Sequence, residues 1–152
     1  MGEFKRIFIG SDHNGFNLKA KIKDYLVKNA YDVVDVGGEV LDPNDDFPDF
    51  AARAATAVLT NDDSAAILIC GGGQGMCMAA NRFKGIRASV LWDEFEAKMT
   101  RNDNDANICC LPARLMEKDL DSCYRIIDQF LTTKYAAAPR YNRRNALLDN
   151  MN

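Results

Sequence analysis

Five short apolar runs, each followed by a stretch of helical period, constrain this chain more than any other feature. The runs are "RIFIG", "YDVVDVGG", "AAILIC", "IRASVLW" and "ANICCL". After the first, Leu18, Ile22, Tyr25 and Leu26 recur on one helical face; Ala51 to Leu59 turns helical after the second. "GMCMAANRF", "DEFEAKMTR" and the amphipathic "DLDSCYRIIDQFL" follow the others. Strands that alternate with helices pair in parallel, because each crossover lays a helix on the sheet, and both faces are covered. The expected fold is therefore α/β: a three-layer, open, Rossmann-like sandwich with a five-stranded parallel sheet, helices on both faces and strand order 2-1-3-4-5. A last short helix is expected over 140–150. No internal repeat or linker divides residues 1–152, so a single domain is expected. At this length a core forms without a disulfide or metal.

Composition narrows the function classes. A net charge of −3 and a pI of 5.1 argue against a nucleic-acid partner, which needs a basic face. The longest early apolar stretch holds only Ile7, Phe8 and Ile9, too short for an export signal or a membrane span, so no membrane and a cytoplasmic location are expected. The five cysteines then read as reduced thiols. No C-x-x-C pair occurs and His13 is the only histidine, so no metal site is expected. "RNDNDAN" at 101–107 fits the first ligand positions of a calcium loop. Ile108 stands where that loop needs glycine and Arg114 where it needs glutamate, which leaves a polar loop or a site for substrate hydroxyls.

Open parallel sheets bind ligands beyond the carboxyl ends of their strands, where the strand order reverses. Two loops there stand out, "GSDHNG" after the first strand and "CGGGQG" after the third. In the second, Gly71, Gly72, Gly73 and Gly75 surround Gln74, and a backbone so bare lets several N–H groups approach one anion. It lacks the lysine of a phosphate-binding P-loop. As a dinucleotide fingerprint it follows the wrong strand, and Met76 replaces the last glycine. Cys70 borders the loop, either as strand-end packing or as a thiol whose thiolate a helix N-terminus would favour. Asp12 and His13 face it, and a carboxylate beside an imidazole can handle a hydroxyl proton. In the tail, Arg140 and Arg144 are four apart on one helix face, a spacing for a phosphate clamp or simply a solvated face.

From Ile7 to Arg144 these motifs resemble one family, the type B ribose-5-phosphate isomerases with the related galactose-6-phosphate isomerase subunits. The stretches that carry the resemblance are "GSDHNGFNLK", "DFPDFA", "ICGGGQGM", "AANRFKGIRA", "TRNDNDANI" and the R-x-x-x-R of the tail. The resemblance implies aldose–ketose isomerisation of a sugar phosphate without metal or cofactor. It also implies a homodimer or tetramer with sites at the subunit interface. Carried onto this chain, Cys70 would be the base and Gly71, Gly72, Gly73, Gln74 and Gly75 would present backbone N–H groups to the enediolate oxygens. Asp12 and His13 would orient sugar hydroxyls and Asn104 would bind substrate. Arg140 and Arg144 would hold the phosphate, with Arg114 as a further candidate.

Several positions depart from the family pattern. Asp103 stands where a ring-opening histidine is usual, Gly72 where a threonine is usual, Phe47 for a tyrosine and Tyr141 for a histidine. Met76 cannot serve as the glutamate base some relatives use, so Cys70 stands alone. A four-carbon sugar phosphate, whose O4 carries the phosphate, needs no ring opening and would suit the loss of that histidine. Alternatively, Asp103 or His13 opens the ring of a pentose or hexose phosphate. A binding subunit that depends on a paralogous partner, and a nucleotide-binding regulator, are the non-enzymatic alternatives.

Overall fold

The computed structural model describes residues 2–151. Its chain runs β1 (Arg6–Ser11), a 3-10 turn (His13–Gly15), α1 (Phe16–Lys28), β2 (Asp32–Gly37), α2 (Phe47–Leu59), β3 (Ser64–Cys70) and α3 (Gln74–Ala80). It continues through β4 (Ala88–Val90), α4 (Glu94–Asn104), β5 (Ile108–Pro112), α5 (Ala113–Met116), α6 (Leu120–Thr132) and α7 (Pro139–Asp149). Among the described residues no helix is long and apolar enough to cross a membrane.

The five strands form one parallel sheet, as the alternation requires, but in the order β2-β1-β3-β5-β4. The expected order 2-1-3-4-5 is thus wrong in its last two places. β5, "ICCLP", is buried at every residue and pairs with both β3 and β4. A strand in that position needs apolar side chains on both faces. β4 is three residues long, half-buried and contains Ser89, whose hydroxyl bonds that of Thr100; such a strand suits an edge. The crossover through α3 therefore skips one place, and α4 returns the chain to fill it.

Alternation along the central strands builds a core on each face. Ile7, Ile9, Ile67 and Ile69 meet Leu18, Ile22 and Leu26 of α1 and Ile126 and Phe130 of α6. Phe8, Ala66, Leu68 and Cys110 meet Ala51 and Ala54 of α2 and Met76 of α3 on the other face. Each fully buried large side chain contributes about 1.5–3 kcal/mol. Asp93 caps α4 by accepting the Glu96 amide (2.8 Å), and Asp119 caps α6 by accepting that of Ser122 (3.1 Å). The polar segment 101–107 is mostly helical: α4 runs through Asn104 and ends on Asp105, which takes the left-handed conformation at φ 47°.

Two basic side chains, Lys19 and Arg101, lie deep in this framework. Lys19 of α1 is buried, with Nζ 3.0 Å from Asp35 Oδ1, 2.8 Å from the Gly37 carbonyl and 2.7 Å from that of Gly38. It ties α1 to the end of β2 and to the start of the loop that leads to α2. Lys23 bonds the other oxygen of Asp35 at 2.8 Å. Burial alone would raise the Asp35 pKa, but Lys23, the Gly37 amide and Lys19 together hold it below the ordinary carboxylate range.

Candidate active site

β1 and β3 are neighbours in register, so the loops that follow them abut. The Asp12 amide donates to the Ile69 carbonyl (3.2 Å), joining the two strand ends. Asp12 then opens the 3-10 turn, its Oδ1 accepting the amides of Asn14 (2.9 Å) and Gly15 (3.3 Å). A Cβ on Gly15 would lie 2.6 Å from Ile69 Cγ2 and 2.8 Å from the Ile69 carbonyl oxygen. Only glycine allows this turn to rest on β3. Burial raises the pKa of Asp12, and the two amides and His13 offset part of that rise.

His13 has a partner that the sequence reading did not single out. Asp45 Oδ1 accepts the His13 amide at 3.0 Å and lies 2.7 Å from His13 Nδ1. That hydrogen bond raises the imidazole pKa and fixes one ring nitrogen, leaving Nε2 as the other. Asp45 sits among Asp42, Asp46 and Asp49, and nothing local distinguishes it from them. Only the fold brings it to the imidazole. The donor atoms of Asp12, His13 and Asp45 lie within 4.8 Å of one another, the one such group among the described residues. His13 and Asp45 already use a donor atom each on the other, and Asp12 Oδ1 is taken up by the Asn14 and Gly15 amides, so all three groups are engaged in hydrogen bonds within the fold.

Cys70 ends β3, nearly buried, opposite Pro112 at the end of β5. The glycine turn follows. Gly73 takes φ 73°, and a Cβ there would sit 3.1 Å from the backbone of Leu111 and Pro112. α3 then starts at Gln74, which is exposed. Arg114 covers the turn from the side of β5. Its amide donates to the Gly71 carbonyl (3.1 Å), and its guanidinium stands 2.5 Å and 2.9 Å from where Cβ atoms on Gly71 and Gly72 would be. Phe47, at the start of α2, places its ring 2.9 Å from a Cβ position on Gly75. Bare backbone, a cation, a thiol, an imidazole and a buried carboxyl thus share one end of the sheet.

The remaining site candidates lie at the other end. Asp103 and Asn104 close α4 just before β5 begins. Asn102 Nδ2 donates to Asp103 Oδ1 (2.8 Å), and buried Asn145 of α7 donates to the Asp103 carbonyl (3.2 Å). Arg87 bonds the Asn104 carbonyl (2.7 Å) and clamps Asp149 at 2.7 and 2.8 Å, anchoring α7 there. Arg140 and Arg144 are exposed on α7, the former stacked 4.4 Å from the Tyr141 ring. Within one chain, then, Asp12, His13, Cys70, Gly71 to Gly75 and Arg114 gather together, while Asp103, Asn104, Arg140 and Arg144 form a second group.

An open α/β sheet with polar groups collected past the carboxyl ends of β1 and β3 defines a protein that takes a small ligand at its switch point. The chain belongs to the Ribose/Galactose Isomerase family, which it matches over residues 7–148. It is 41% identical over 139 residues to a probable ribose-5-phosphate isomerase B of Mycoplasma genitalium, covering 91% of this chain and 90% of that one. It is 35% identical to ribose-5-phosphate isomerase B of Escherichia coli, covering 94% of each. Among solved structures, the M. genitalium enzyme with bound ribulose-5-phosphate superposes with a TM-score of 0.89 at 39% identity, over 95% of this chain and 93% of that one. The Thermotoga maritima ribose 5-phosphate isomerase gives a TM-score of 0.91 at 38% identity, over 96% and 98%.

Proposed function

We propose that this protein interconverts an aldose phosphate and its ketose through an enediolate, with Cys70 as the base. The placement of the Cys70 thiol at the lip of the Gly71–Gly73 turn carries this reading. In the aldose direction the Cys70 thiolate removes the proton on C2. The electron pair forms the C1–C2 double bond, and charge moves to O1 beside the backbone N–H groups of the turn. The proton on O2 passes to O1, and the thiol returns its proton to C1, leaving the carbonyl at C2. Asp12 and His13 orient the hydroxyls during these transfers, and the His13–Asp45 hydrogen bond holds the ring in place. Neither a metal nor a cofactor takes part.

One chain holds only half of this machinery, because the Arg140–Arg144 pair and Asn104 are at the far end. A second copy supplies them: the working unit is a homodimer, or a tetramer built from two such dimers, in which the partner's arginine pair holds the phosphate over the glycine turn. Arg114 adds charge from the same chain as Cys70. Asp103 stands beside Asn104 and protonates the ring oxygen of a cyclic substrate. The same division of residues supports a second reading, a sugar-phosphate-binding subunit completed by a paralogous chain.

Proton exchange tests the reading. The purified protein is incubated with four-, five- and six-carbon sugar phosphates in heavy water, and deuterium entry at C1 or C2 is followed by NMR. Exchange that disappears in Cys70→Ala supports the isomerase with its base. Silence across all substrates would favour the partner-dependent subunit. Exchange that persists in Cys70→Ala would refute the base.

A further inference from the structure

Arg87 belongs to the stretch "AANRFKGIRA", which has no part in the chemistry proposed above. It stands just before β4, with its side chain mostly buried. Nε donates to the Asn104 carbonyl (2.7 Å) and Nη2 to the Asp105 carbonyl (3.2 Å). Nη1 meets both carboxylate oxygens of Asp149, at 2.8 and 2.7 Å. Every nitrogen of the fork has an acceptor. One planar group thus joins the helix end that carries Asn104 to the last residue of α7.

The helix end it grips is tied at each residue. The last carbonyls of a helix find no partner within it. Here every carbonyl from Asn102 to Ala106 accepts from an amide or a side chain. The Ala136 amide takes Asn102 (3.1 Å) and Asn145 takes Asp103 (3.2 Å). Arg87 takes Asn104 and Asp105, and Arg101 Nη1 takes Ala106 (2.6 Å). Arg101 Nη1 also bonds Asp105 Oδ1 at 2.8 Å. Two guanidinium groups at this negative helix end suit its dipole.

α7 has no apolar anchor: among its residues only Asn145 is buried. Asn145 and Asp149 are four apart and share one face, and both are tied to the α4 turn. Arg140 and Arg144, also four apart, are exposed on a different face. Polar bonds to that turn, rather than a packed core, set where the two arginines stand.

We propose that Arg87 is a positioning residue that holds the Arg140–Arg144 pair and Asn104 in one fixed relation, so that they meet the phosphate and the hydroxyls of a single substrate together. The roles of those three residues are taken from the isomerase reading, and Arg87 itself touches no substrate. A planar fork can bond a carboxylate at two points while reaching two carbonyls; the single ammonium of a lysine cannot span them. Misplacing a substrate-holding group by about 1 Å is enough to cost roughly a hundredfold in rate.

The test uses the whole protein with two probes: inorganic phosphate, whose binding is followed by phosphorus NMR, and the sugar phosphate that shows exchange. Asp149→Asn frees α7 while Arg87 stays on the Asn104 turn. Phosphate affinity is expected to fall and KM to rise together by about tenfold, the value of one charge-assisted hydrogen bond, with kcat within about twofold. Removing a negative charge would by itself favour an anion, so a loss of affinity reports position rather than charge. Asp149→Glu restores most of both, and Arg87→Lys, which loosens both arms, lowers kcat as well. Where Arg140 and Arg144 are already alanine, Asp149→Asn adds less than about twofold, because it acts through them. Unchanged phosphate affinity in Asp149→Asn would overturn the proposal, whatever happens to the melting temperature. So would an equal loss in the background without the two arginines, or a wild type that binds no phosphate. Phosphate binding needs no turnover: an inert wild type that loses phosphate affinity in Asp149→Asn would refute the isomerase reading and keep this one.

Discussion

Cys70 and Asn104 stand at opposite ends of the same sheet. Cys70 closes β3 opposite Pro112, the last residue of β5, whereas Asn104 closes the helix that leads to Ile108, the first. The length of β5 alone separates those levels by about 13 Å, at roughly 3.3 Å per residue. No small substrate touches both within one chain.

Two inactive variants are therefore expected to repair each other. Cys70→Ala and Arg144→Ala, each inert alone, are unfolded together in equal amounts and refolded. In a symmetric dimer half of the molecules are mixed, and each mixed dimer carries one intact site, which gives roughly a quarter of wild-type activity. A mixture as inert as its parents would refute a site shared between copies.

The His13–Asp45 hydrogen bond is readable directly because His13 is the only histidine. Its Cε1 proton resonance in the folded wild type is expected to titrate above the ordinary value of about 6.5. The Asp45→Asn midpoint falls toward that value, and kcat/KM falls with it. The sign for stability follows from the raised folded pKa. The charged pair stabilises the protein fully below the unfolded pKa, and that contribution is lost as pH rises through the folded one. A midpoint unchanged by Asp45→Asn would mean that the pair does not persist in solution.

Asp35 carries the opposite sign. Its pKa is lowered in the folded state, so its contribution is present above the unfolded value near 3.9 and disappears as pH falls through the folded one. Asp35→Asn leaves buried Lys19 with carbonyls alone and is expected to cost about 3 kcal/mol at neutral pH. Urea unfolding across pH checks both points: the variant is weaker at pH 7, and the gap narrows below about pH 4. A constant gap would contradict the pairing.

Two glycines next to the site separate fold from function. Gly15→Ala drives a Cβ into Ile69 side chain and backbone, at an expected cost of about 1–3 kcal/mol, and displaces Asp12 and His13 together. Gly72→Thr meets only the end of the flexible Arg114 side chain. Its melting temperature should stay close to wild type while KM for the sugar phosphate changes as Arg114 is moved. Comparable unfolding midpoints for Gly15→Ala and wild type would show that the turn does not depend on this contact.

The local pattern of residues determined much of this protein. Apolar runs of strand length, helical periods between them and glycine at two strand ends specified a parallel α/β sheet with its polar loops after β1 and β3. The adjacency of those strands, and hence of Asp12 and His13 to Cys70, followed from the topology such sheets favour. What the local pattern does not encode is competition for the buried positions. "IRASVLW" and "ANICCL" read alike as strands; only packing under helices on both faces gave β5 the interior and β4 the edge. Asp45 became the partner of His13 in the same way, chosen from a run of similar acids by a contact 32 residues distant in the chain. The separation of Cys70 from Asn104, Arg140 and Arg144 is likewise a property of the folded sheet, because strand direction places the residues before a strand and those after it at opposite ends. Sequence patterns report short-range periodicity, whereas register, strand order and side-chain partnership are decided by which long-range contacts bury the most apolar surface and leave no charge unpaired.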